Sequence, residues 1–168
     1  SNIVTQSRLW GGEVGIWLAT NADYNTISLS TMIGNADEGI WVFGADSNTL
    51  TQSYIWGAAS GLTFDTGSDF NQVILSTVIS ADPSNYYGLG VVAASSNSIY
   101  NSYIQGSTAV FVNRSTGTVV RGAHLAALNS NGSALALQGG SVNLSLTSST
   151  LQGGAQGAGL YMMINNSG

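Results

Sequence analysis

The chain has 168 residues, of which 43% are apolar and only 7% charged, with a net charge of −5. That apolar share supports one domain with a packed core and argues against disorder. The only cations are Arg8, Arg114 and Arg121, which excludes the clustered positive charge that nucleic acid or an anionic membrane surface requires. Without Cys there is no disulfide, thiolate metal site or Cys nucleophile, and no apolar run approaches the roughly 20 residues of a membrane-spanning helix.

Taken in chain order, the sequence repeats. Aligned starts fall at Asn2, Asn25, Asn48, Asn71, Asn97, Gly117 and Leu144, so the coils are 20 to 27 residues long. Two positions after each start stands an aliphatic residue: Val4, Ile27, Leu50, Val73, Ile99, Val119 and Leu146. Five positions on lies a small residue, Ser in all coils but the sixth, where Gly122 stands. Seven on come Leu9, Met32, Ile55, Val78, Ile104, His124 and Leu151. Each repeat closes with a short alternating run, such as Ile16 with Leu18, Ile40 with Val42, and Leu62 with Phe64. Period-two alternation points one set of side chains inward. One such coil cannot bury its own apolar face, but coils stacked about 4.8 Å apart build continuous ladders. The expected fold is therefore all-β: a single-stranded parallel β-helix (solenoid) of about seven coils. It forms one domain over residues 1–168.

The phrases Gly39-Ile40-Trp41-Val42, Asn48-Thr49-Leu50 and Ser53-Tyr54-Ile55-Trp56-Gly57 resemble the repeat of the right-handed parallel β-helices of the pectate-lyase-like superfamily. The resemblance covers nearly all of the chain and implies the right hand of the coil. It implies no single activity, because that superfamily holds lyases, hydrolases, epimerases, phage tailspikes, adhesins and filament proteins.

Candidate chemistry is sparse. Phe64-Asp65-Thr66-Gly67-Ser68 looks like an aspartic-protease motif, yet a second copy is missing and its repeat position is that of a turn. Asp23, Asp46 and Asp69 recur at one spacing and would stack in a column. One carboxylate per coil is few for Ca²⁺, which takes 6–8 oxygens, so they read as turn residues facing water. His124, the single histidine, falls in the inward aliphatic column and reads as core, with acid/base work beside Arg121 as the competing reading. The glycines from Gly153 to Gly159 precede no helix and read as a loose turn. No catalytic residue, metal or cofactor is assigned.

Outward columns carry more information. Trp10, Ile33, Trp56 and Ile79, followed by Gln105, Leu125 and Gln152, form one stripe. Trp17, Trp41, Thr63, Gly90, Phe111, Ala136 and Tyr161 form a second. Contiguous apolar stripes of this extent are unusual on soluble monomers. They are expected to serve self-association, to stack on sugars, or to lie under another segment of the chain. No amphipathic capping helix is evident at either end. The expectation is a segment of a longer chain, or an uncapped subunit that stacks end to end or packs laterally. The first functional reading is a non-enzymatic extracellular or cell-surface structural protein, a subunit of a filament, sheath or surface layer, or an adhesin repeat. The competing reading is a polysaccharide-binding or polysaccharide-degrading β-helix domain.

Overall fold

The computed structural model describes residues 1–163, and every regular element among them is a strand. The strands form three parallel seven-stranded sheets. Each coil gives one strand to each sheet and then returns one rung higher. The first sheet runs from Ile3–Thr5 to Ser145–Thr147, the second from Arg8–Gly11 to Thr150–Gln152, and the third from Ile16–Leu18 to Leu160–Met162.

Alternation sets the core. Ile27, Leu50, Val73, Ile99 and Val120 stack inward from the first sheet, all essentially inaccessible. Met32, Ile55, Val78, Ile104 and Leu125 do the same from the second. The third sheet adds two ladders, one through Ile40, Leu62, Leu89, Val110 and Leu135, the other through Val42, Phe64, Val91, Val112 and Leu137. Each fully buried aliphatic side chain contributes about 1.5–3 kcal/mol of transfer free energy. In the first coil Val4, Leu9, Ile16 and Leu18 are half-buried around an apolar hollow of about 200 Å³.

Two polar ladders run beside the core in opposite directions. The backbone N–H of Asn2, Asn25, Asn48 and Asn71 each donates to the side-chain Oδ1 of the Asn one coil further on, at 2.7–2.8 Å. Asp46 N–H donates back to Asp23 Oδ1 at 2.7 Å, Asp69 N–H to Asp46 Oδ1 at 2.8 Å, and Ser95 N–H to Asp69 Oδ1 at 2.6 Å. A serine ladder through Ser7, Ser30, Ser53, Ser76 and Ser102 repeats the Asn pattern at the corner between the first two sheets. These side chains satisfy amides that the turns would otherwise leave buried and unpaired.

That corner is made by one residue with φ between 48° and 64°: Gln6, Leu29, Gln52, Leu75, Asn101, Gly122 and Ser148. Left-handed backbone is unfavourable for a leucine. The rungs fix it there: Leu29 N–H donates to Thr51 O at 3.2 Å and Leu75 N–H to Tyr100 O at 3.0 Å. Both leucine side chains are more than half exposed, so two residues that look like core by composition are corners.

The sixth coil departs from the alignment above by one residue. Ile99 pairs with Val120, not Val119, and Ile104 with Leu125, not His124. A slip of one residue exchanges the two faces of a strand. His124 is therefore exposed, outside the core, and tilted against the Tyr103 ring at 5.3 Å. Leu125 is fully buried, and Ala126 takes its expected place on the outer stripe. The misleading signal is local: Thr118, not an Asn, occupies the start of this coil, and its buried Oγ1 has no hydrogen-bond partner among the described residues.

Candidate functional site

The outer face of the second sheet carries Trp10, Ile33, Trp56 and Ile79 in register, as their spacing predicts. Trp10 is 70% exposed; Ile33, Trp56 and Ile79 are half-buried. Trp10, Ile33 and Trp56, with Arg8, Asn35 and Tyr54, border an open depression of about 420 Å³.

The outer face of the third sheet holds the second predicted column, from Trp17 to Tyr161, also in register. Trp17 and Trp41 lie parallel within 9° with centroids 5.1 Å apart. Two parallel indoles that close cannot lie side by side, so they stack face to face along the coil axis. Phe43, two residues after Trp41 on the same face, meets it edge-on at 6.1 Å. Thr63 interrupts the stack at the third coil. At the fourth coil Gly90 has no side chain, and Tyr87 supplies a ring instead. Its Cδ2 lies 3.5 Å from the place a Gly90 Cβ would take, and the ring stacks on Phe111 at 4.3 Å and 10°. Ala136 interrupts the stack again at the sixth coil, and Tyr161 resumes it at the seventh. The column is thus a file of aromatic rings with two gaps.

The sixth-coil gap is a hollow of about 310 Å³. Tyr161, 39% exposed, and Phe111, only 9% exposed, stand on either side of it in the column, with the buried Ala136 between them, and Thr108, Asn131, Ser133 and Gln138 bring hydroxyls and amides to its rim. Burial pushes the Tyr87 phenol above its ordinary value, which keeps this ring neutral.

The third-coil gap is acidic. Thr63 Oγ1 donates a long hydrogen bond, 3.5 Å, to Glu38 Oε1. Burial, reinforced by a hydrogen bond and like-charge repulsion from Asp37, raises the Glu38 carboxyl from 4.5 to about 7. Asp65, two residues beyond Thr63, accepts from the N–H and hydroxyl of Thr66 at 2.7 and 3.1 Å. Ser68 N–H closes that turn on Asp65 O at 3.0 Å, so the protease-like motif is a turn. Tyr87, Phe43 and Glu38 were invisible to the column reading. Tyr87 and Glu38 precede the column residue by three, outside strand alternation, and Phe43 lies at the outer margin.

Asp23, Asp46 and Asp69 do align, as predicted, but each is half-buried and holds the next coil's amide. No group of three or more His, Cys, Asp or Glu able to hold a metal ion occurs among the described residues.

Solved structures share this architecture. The periplasmic alginate epimerase AlgG superposes with a TM-score of 0.61 at 15% identity, over 96% of this chain and 39% of that one. A mutant of the same epimerase gives 0.67 at 16% identity, over 88% of this chain and 39% of that one. Full-length tailspike protein 2 of Escherichia coli O157:H7 bacteriophage CAB120 gives 0.60 at 12% identity, over 83% and 30%. The chain is a right-handed parallel β-helix. It spans well under half the length of each of these proteins. Residues 1–80 also match the family described as periplasmic copper-binding protein (NosD). No curated protein matches the sequence.

Copper sites are built from imidazole, thiolate and thioether ligands. Residues 1–80 contain neither His nor Cys, and their one methionine, Met32, is fully buried in the core. The segment that matches the copper-binding family does not fit a copper ion.

Proposed function

We propose that the chain is an extracytoplasmic, non-enzymatic β-helix that binds a neutral glycan on the outer face of its third sheet. The observation that carries this reading is the file of aromatic rings, with gaps floored by Thr63 and Ala136. The C–H faces of pyranose rings pack on aromatic surfaces, while hydroxyls and amides at the rim pair with sugar hydroxyls. Support also comes from the likeness to an alginate epimerase and a phage tailspike, and the periplasmic descriptions of the epimerase and the matched family favour a site outside the cytoplasm. Charge selects the class of glycan. Asp37, Glu38 and Asp65 lie on or beside this face in a chain of net charge −5, which disfavours a polyuronate.

The test is affinity electrophoresis against soluble β-glucan, xylan, mannan and alginate, with a parallel assay for new reducing ends and unsaturated uronates. Retention by a neutral polymer, none by alginate and no turnover is the expected result. Turnover of alginate or pectin, lost in Arg121→Ala or His124→Ala, overturns it.

A second reading rests on the second sheet. Trp10, 70% exposed, and the half-buried Ile33, Trp56 and Ile79 favour lateral self-association into a surface assembly. Trp10→Ser with Trp56→Ser is expected to lower the particle mass seen by light scattering while the strand signal in circular dichroism persists. A wild-type chain that stays monomeric at high concentration removes this reading.

A further inference from the structure

We infer that the gap at the sixth coil is a specific seat for one neutral pyranose residue, held between Phe111 and Tyr161 above Ala136. This rests on the glycan reading and locates it.

Column residues one coil apart are about 4.8 Å apart, so Phe111 and Tyr161, with Ala136 between them, are separated by about 10 Å. Stacking along the axis, as Tyr87 does on Phe111, turns the ring faces toward neighbouring coils. Removing one ring from such a file leaves a slot walled by an aromatic face. Its width is that of one ring place in the file, which also admits a sugar ring with its axial hydrogens. The hollow of about 310 Å³ is at the low end of the roughly 300–1,000 Å³ of small-ligand sites.

The rim matches the same ligand. Thr108 and Ser133 precede Phe111 and Ala136 by three residues and line one side, and Gln138 lies two residues beyond Ala136 on the other. Asn131 stands in the turn that leads into this strand, exposed and with its N–H held by Asn129 Oδ1 at 2.9 Å. Hydroxyls and amides each donate and accept, which suits sugar hydroxyls and gives no anchor for a carboxylate. Among the described residues, none that lines the hollow is a carboxylate or a cation. The third-coil gap differs in charge: Glu38 accepts from Thr63 there, and Asp65 lies two residues beyond.

The experiment fills each gap with the missing ring. Ala136→Phe completes the stack at the sixth coil, and Thr63→Phe completes it at the third. Calorimetric titration uses the hexaoses of β-1,4-linked glucose, xylose, mannose and N-acetylglucosamine. At least one is expected to bind the wild type. Ala136→Phe is expected to lower that affinity by about 30-fold, the usual scale of a blocked central contact, with melting temperature unchanged or raised. Thr63→Phe is expected to bind as the wild type does. Should Ala136→Phe fail to fold, Asn131→Ala serves instead, with an expected loss of about tenfold for a ligand hydrogen bond. Binding undiminished in Ala136→Phe or, in its stead, Asn131→Ala overturns the seat; if Thr63→Phe then abolishes binding, the glycan reading stands at the third coil. A wild type that binds none of the four hexaoses overturns both.

Discussion

From Asn2 to Asn97 each pair of coils is joined by the same amide-to-Asn bond, and at Thr118 the joining stops. The first five coils and the last two share one backbone path, one set of corners and one register of parallel pairing. They differ in what the inner polar column supplies. From the second coil to the fifth each Asn Oδ1 takes an N–H from the coil before it, while its Nδ2 donates to a neighbouring Oδ1 or to a carbonyl such as Ala45 O or Ser68 O. In the sixth coil the equivalent Thr118 hydroxyl is buried and unpaired, and in the seventh Leu144 takes the position. The Ser column lapses at the same level, where Ala123 replaces it, and returns at Ser149, which accepts from Ala123 N–H at 3.2 Å. Parallel pairing alone holds the path; the ladders add stability and pin the register.

The largest expected effect tests the core on the well-joined side. Leu50→Asp places a charge among fully buried neighbours and is expected to cost about 3–5 kcal/mol, whereas Leu146→Asp, half-buried in the seventh coil, costs less than half of that. Urea unfolding of the two variants decides it; equal losses would mean the two regions do not differ. Next comes the ladder itself. Asn48→Ala strips the partner from Asn25 N–H and is expected to cost about 2 kcal/mol. The mirror experiment is Thr118→Asn, which offers Asn97 N–H the acceptor its predecessors have and removes an orphaned hydroxyl. A gain of about 1 kcal/mol in thermal unfolding is expected, and a loss would show that the break has a packing cause.

A smaller effect depends on pH. Glu38 has its folded value raised from 4.5 to about 7, so the folded state holds this proton more tightly than the unfolded chain does. Its favourable contribution is complete below pH 4.5 and is lost as pH rises through about 7. Because the carboxyl is partly open to solvent, the net penalty at pH 8 is only about 1 kcal/mol. Glu38→Gln is expected to recover it at pH 8 and to change little at pH 4, by paired melting curves at the two pH values. The smallest effect belongs to His124→Ala. An exposed imidazole resting on Tyr103 is expected to matter by less than about 0.5 kcal/mol; a loss of core size would restore the inward register.

Where the ladders are continuous, the sequence was readable. Asn25, Asn48 and Asn71 mark each coil, the aliphatic columns follow at fixed offsets, and the resulting register matches the pairing through Ile99. It failed where the marker failed. Without an Asn at the sixth coil, Gly117 and Val119 imitate the pattern one residue early, and the error carried His124 into the core. Leu29 and Leu75 expose another limit. Nothing in a leucine signals left-handed backbone, since the conformation is imposed by the rungs on either side. Of the candidate site, the ring column was legible because it obeys strand alternation. Its completion by Tyr87 over Gly90 was not, because that ring reaches in from outside the strand's own period.

The opposed directions of the Asn and Asp ladders make this chain a kind of ruler. The second and third coils each offer an Asn Oδ1 to the coil below and an Asp Oδ1 to the coil above, so coils of this kind can be neighbours in any order. Excision of residues 48–70 would set Asn25 N–H against Asn71 Oδ1 and Ser95 N–H against Asp46 Oδ1, so both ladders would be remade across the new junction. It would also delete Thr63 and bring Trp41 directly beneath Tyr87, closing one of the two gaps in the file of rings. Length in such a molecule comes in whole-coil increments, and each increment adds or removes one place on the outer face along with one layer of core.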